Sequence, residues 1–143
     1  MTQAAVNRTL RIANETRHLQ SVREFVASVI RNSGVPARCE NGILLAVDEA
    51  VTNIITHAYK ESRHDTIEIT LSVTETRFEV TIRDSGTSFD PKMLPDPDLR
   101  QHVSAGRRSG LGVFLMRRLM DEVEYLFKEG IRNELHMVKY LDR

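Results

Sequence analysis

Glu49, Asn53 and His57 recur every four residues within Leu44 to Tyr59, LLAVDEAVTNIITHAY. On a helix that spacing puts a carboxylate, a carboxamide and an imidazole on one face. An amide oxygen is a hard ligand suited to magnesium on a phosphate chain, and a carboxylate one turn away can act as a base. Gly42, Ala46 and Ala50 flank that face and are small, which would keep the surface open. Asp84 is a second candidate, because it continues the alternating row Phe78, Val80, Ile82. If the pleat persists, its carboxylate turns inward and needs a partner: a neighbouring side chain, a capped backbone or a ligand amine. Strand-end aspartates are also ordinary turn formers. A third candidate is RRSGLG, Arg107 to Gly112, at the head of an apolar helical pattern. Helix N-termini carry free N–H groups and partial positive charge that suit phosphate, and glycines admit close backbone approach. Taken singly, E-x-x-x-N also fits a solvated stripe and G-x-G an ordinary helix start.

The surrounding elements must position these groups. Leu44, Val47, Val51, Ile54, Ile55 and Ala58 recur at helical spacing, so the first motif lies on one amphipathic helix. Upstream, Arg8 to Ala13 reads as an edge strand. Thr16 to Ser33 reads as a helix with the stripe Leu19, Val22, Phe25, Val26, Val29 and Ile30, closed by Gly34. Pro36 suits the first turn of the motif helix.

Downstream, Thr66 to Val73 and Phe78 to Arg83 alternate strictly, and the turn Thr74 to Arg77 joins them into an antiparallel hairpin. Strands with one wet face predict helices on one side of the sheet, an α+β two-layer sandwich. From Ser85 to Ser109 there is no periodicity; the segment holds Pro91, Pro95 and Pro97 and ends in basic residues. So long a connection within a compact domain is usually functional or disordered. Val113, Leu115, Met116, Leu119 and Met120 mark the next helix. Glu122 to Phe127 and Glu134 to Leu141 are strand-like, separated by a turn with Gly130 and Asn133. Tyr125, Phe127, Leu135 and Met137 complete the core, with the methionines as filler.

The chain of 143 residues fits a single domain. Its 20 basic and 20 acidic residues cancel, which argues against a general nucleic-acid or membrane surface. The one cysteine, Cys39, excludes an internal disulfide and reads as a packed thiol. With neither a transmembrane run nor a signal-peptide core, a cytoplasmic location is expected.

DEAVTNIITHAY, RDSGTSFDP and RSGLGVFLMRRLMDEVEY occur in the order of the N, G1 and G2 boxes of the GHKL ATPase superfamily, whose Bergerat fold is shared by gyrase, histidine kinases and MutL. The chain most resembles the anti-sigma factor serine kinases of the RsbW and SpoIIAB type, over essentially its whole length. The resemblance implies a mixed, mostly antiparallel sheet and one kinase domain over residues 1–143 with a lid at about 86–109. It also implies binding of ATP and Mg2+. Glu49 would be the base for a serine hydroxyl, and Asn53 would coordinate magnesium. Asp84 would accept from the adenine amino group, and Gly86 would turn the chain beside the base. Ser109, Gly110 and Gly112, with Arg107 and Arg108, would approach the phosphates. Implied partners are a STAS-domain anti-anti-sigma protein, a sigma factor and a second copy, with the N-terminal strand and first helix serving dimerisation and sigma-factor contact.

Two positions depart from the family pattern: Ser88 stands where a second glycine of D-x-G-x-G would be, and Gly130, Asn133 and Glu134 replace a late G-T element. Neither removes an implied phosphate or metal ligand. An alternative is a nucleotide-binding module that sequesters a protein without phosphotransfer. A histidine-kinase fragment is not expected, because only a short strand and one helix precede the motif helix and His18 has no phospho-acceptor context. A gyrase or MutL type would need a following transducer domain.

Overall fold

A computed structural model describes residues 6–13, 15–55, 66–84, 109–128 and 132–142. In chain order these form β1 (Val6–Ala13), a 3-10 turn (Thr16–His18), α1 (Leu19–Asn32), α2 (Ala37–Asn53), β2 (Thr66–Val73), β3 (Arg77–Asp84), α3 (Ser109–Leu119), β4 (Glu122–Lys128) and β5 (Arg132–Tyr140). The strands make one sheet in the order β1-β2-β3-β5-β4, and all four pairings are antiparallel. β1 is an edge strand, as its sequence predicts. No described helix is long and apolar enough to cross a membrane.

The period-two pattern decides which face of the sheet is covered. Ile67, Ile69, Leu71, Val73, Phe78, Val80 and Ile82 are buried, and the residues between them are exposed or half-exposed. Against them pack Val22, Val26 and Ile30 of α1, Ile43, Val47 and Val51 of α2, and Met116 of α3, in a single core. The opposite face is polar. There Arg11, Glu68, Arg83 and Glu134 stand opposite one another on four strands, with N–O separations of 3.0, 3.1 and 2.5 Å along the row. This is the two-layer sandwich expected from the alternation.

The chain reverses between α1 and α2 where Gly34 takes φ 67°, a conformation that glycine enters without steric cost. Val35 N–H then donates back to the Ile30 carbonyl, closing α1 with a Schellman-type bond. Pro36 sits at the N-cap of α2 with ψ 139°, one position before the first turn where its sequence context placed it.

The packing of α2 corrects one expectation. Gly42, Ala46 and Ala50 do not line an open surface. Ala46 and Ala50 are buried, and Leu119 Cδ2 of α3 lies 3.8 Å from the point where a side chain on Gly42 would begin. The small residues let neighbouring elements approach α2 closely. Ile43 is fully buried, whereas Leu44, Ile54 and Ile55 are only partly so, which turns the apolar stripe toward Ile43 and the two alanines. The α-helix ends at Asn53, and Ile54 and Ile55 follow it in π-helical conformation; His57, Ala58 and Tyr59 lie outside the described residues. So do Gly86, Ser88, Arg107 and Arg108, with most of the segment read as a lid.

Ala46 provides the test of this packing. Ala46→Leu should lower stability by about 1–3 kcal/mol through overpacking, as measured by urea unfolding. A neutral substitution would return Ala46 to an open surface.

Candidate functional site

Asp84 is the last residue of β3, and the pleat that buries Phe78, Val80 and Ile82 carries it to the same side. It is 6 % exposed. Directly across the sheet stands Asn133 of β5, 7 % exposed. Asn133 Nδ2 donates to Asp84 Oδ1 at 3.0 Å, so the inward carboxylate does have a side-chain partner. A carboxamide donor to a carboxylate is a charge-assisted bond, stronger than one between neutral groups.

Asn53 approaches from the helical layer. It is the last α-helical residue of α2 and 8 % exposed. Its Nδ2 has no hydrogen-bond partner among the described residues. A buried amide is costly unless it is bonded. The oxygen and nitrogen of an amide exchange by a half-turn about the terminal bond, so this terminus can offer either an acceptor or a donor.

These three polar groups line one cavity, together with Ala50, Ile54, Tyr125, Glu134 and Leu135. Its volume is about 20 Å³, roughly the space of one water, so a larger ligand must widen it. The side chains around the polar groups are mostly apolar, a setting in which few hydrogen bonds fix orientation. A wider depression of about 430 Å³ runs between α1 and α2, past Arg23, Arg31, Leu44, Leu45 and Asp48. Arg23 Nε donates to Asp48 Oδ1 there at 2.8 Å, which raises the arginine pKa above its ordinary value. None of the described candidate site residues lines it.

The site residues read from sequence thus divide into three groups. Asn53 and Asp84 meet at the cavity. Glu49 is half-buried on α2, one turn before Asn53 and next to the cavity-lining Ala50. Ser109, Gly110 and Gly112 fall in the first turn of α3, where the sequence places a helix start. Gly86, Arg107 and Arg108 are outside the described residues. Sequence reading treated Asn133 as part of a turn and missed its place in the site. A signal was available, because Asn133 shares the parity of Leu135 and Met137, the core-facing positions of the same strand.

The donor set suits a nucleotide with its metal. Magnesium at phosphate sites keeps several waters and takes few protein oxygens, so one amide oxygen is able to fill one of its positions. Among the described residues there is no cluster of three His, Cys, Asp or Glu side chains that could hold a metal by itself. A buried carboxylate beside apolar walls suits the amino group of a flat base.

Residues 12–139 match the family model described as a histidine kinase-like ATPase domain. The serine-protein kinase RsbW of Bacillus cereus strain AH187 is 30 % identical over 138 residues, covering 94 % of this chain and 84 % of that one. The RsbW of Listeria monocytogenes is 28 % identical over 138 residues, with coverage of 94 % and 87 %. A crystal structure of the RsbU and RsbW domains of Rv1364c from Mycobacterium tuberculosis superposes with a TM-score of 0.68 at 14 % identity. The match covers 95 % of this chain and 33 % of that longer one, and at this identity it speaks to the fold alone. By the family model that it matches and by these relatives, the chain belongs to the histidine kinase-like ATPase domain family and, within it, to the RsbW-type serine-protein kinases.

Proposed function

We propose that this chain is an ATP-dependent serine/threonine-protein kinase and anti-sigma factor that phosphorylates a STAS-type anti-anti-sigma protein in a cytoplasmic partner-switching pathway. The observation that carries the reading is the meeting of Asn53 and Asp84, from two different layers, on one cavity. When bound, ATP would supply the transferable phosphoryl group and Mg2+ would neutralise its charge. Asn53 would hold the metal through its amide oxygen. Asp84 accepts from the adenine amino group and orients the base. Glu49, one helical turn from Asn53, takes the proton from the substrate serine. Ser109, Gly110 and Gly112 offer backbone N–H groups at the start of α3, and Arg107 and Arg108 bring positive charge to the phosphates. Catalysis is then mainly a matter of positioning and electrostatics, as in phosphoryl transfer generally. A sigma factor is the sequestered partner, and the free edge of β1 fits association with a second copy.

Incubation with ATP, magnesium and STAS proteins from the same genome should yield phosphoserine on one of them. Nucleotide binding without any transfer would favour the sequestering module instead. Glu49→Ala should retain ATP while the transfer rate falls about 10²–10⁴-fold; transfer at the wild-type rate would remove the base assignment. Asp84→Asn should weaken ATP binding by about 1.5–3 kcal/mol in calorimetry, the worth of a hydrogen bond to a charged group. Unchanged affinity would take adenine recognition away from Asp84.

A further inference from the structure

We infer that the exposed side of α3, with Arg118 stacked on Phe114, docks an acidic patch on the protein substrate. This rests on the kinase reading above and gives that reading a surface for its protein substrate. Phe114 and Arg118 are four residues apart, so they share one helix face. The Arg118 guanidinium carbon lies 5.1 Å from the centre of the Phe114 ring. Arg118 is exposed, and among the described residues it makes no ion pair. Stacking covers the flat face of a guanidinium and leaves its N–H edge open, the edge that grips a carboxylate with two bonds. A side chain already held in place also loses less freedom when a partner arrives.

The distribution of charge says what the partner carries. Residues 99–120 hold five arginines and no acidic residue, so the rest of the chain sets fifteen basic side chains against twenty acidic ones. The balanced total therefore hides one basic segment on an otherwise acidic chain. Such a segment attracts an acidic protein surface, while the remainder of the molecule repels a polyanion as long as a nucleic acid. Arg118 lies nine residues beyond Ser109, about 14 Å along the helix, too far to serve the phosphates at the helix start. A standard protein interface covers about 800 Å² a side, a disc wider than that separation. One substrate can thus meet Arg118 while its serine reaches the phosphates. Arginines in a last helical turn also complement the helix dipole, but any cation there does so.

The test is steady-state phosphorylation of the STAS protein that accepts phosphate in the assay above, with the full chain and saturating ATP and magnesium. Arg118→Ala should raise the KM for that protein about tenfold, the scale of one charge-assisted contact. The kcat and the KM for ATP should stay at wild-type values. Arg118→Lys keeps the charge at the helix end but loses the planar fork, and should raise the protein KM by a smaller factor. High salt should raise the wild-type protein KM and narrow its gap to Arg118→Ala. An unchanged protein KM in Arg118→Ala, with or without a lower unfolding midpoint, would reduce Arg118 to a helix-end charge and overturn this inference while leaving the kinase reading intact. Equal changes in both KM values would also overturn it, as would loss of binding to a labelled DNA duplex with the protein KM unmoved. A wild type that binds ATP but phosphorylates no STAS protein would overturn the kinase reading and this inference with it.

Discussion

A carboxylate buried at the end of β3 is the constraint around which the site is built. Removing a charge from water costs several kcal/mol, and a fold tolerates it only where donors are held in place. Among the described residues, Asp84 meets that condition in part through Asn133, on the neighbouring strand. The arrangement needs the β3–β5 pairing to form in one register, with both residues on the covered face. It also needs α2 close above, because Asn53 brings the third buried polar group to the same cavity. Charge, sheet register and helix position are therefore linked: losing any of them leaves a polar group buried without the neighbours that justify its cost.

The placement of α2 rests on small side chains. Ala46 and Ala50 are buried on the same face as Ile43 and Val47, and α3 reaches Gly42 through Leu119. Larger residues at these positions would push the elements apart and carry Asn53 away from Asp84. Interiors are close-packed, so even a displacement of one methyl group is felt. The smallness of these residues acts on the site indirectly, by setting the distance between the layers.

Much of this was legible in the sequence, because alternation along β2 and β3 and the helical stripe of α1 report burial directly. Asp84 stood out for the same reason: a charged residue in an apolar row. The stripe of α2 was harder to read. Alanine and glycine are too small to announce a buried face, so Leu44, Ile54 and Ile55 drew attention while Ile43, Ala46 and Ala50 formed more of the contact. Asn133 was overlooked because asparagine beside a glycine-bearing stretch is an ordinary turn signal. Only the strand's extension back to Arg132 places it opposite Asp84. Local patterns record which residues are inside; they do not record which of them meet across strands far apart in sequence.

The open face of the sheet bears on the buried pair as well. Arg83 and Asp84 are consecutive, as are Asn133 and Glu134, and the two dipeptides pair in register. Arg83 Nε meets Glu134 Oε1 at 2.5 Å on the wet face, while Asn133 meets Asp84 on the dry one. Half-exposed ion pairs contribute little stability by themselves. Here their value is geometric. A slip of one residue would send Asp84 to the open face and Arg83 into the core, because side chains alternate with a period of two. It would also break the row in which Glu68 lies between Arg11 and Arg83. The charged ladder therefore raises the cost of the wrong register more than it lowers the energy of the right one, and the right register is the one that aligns Asp84 with Asn133.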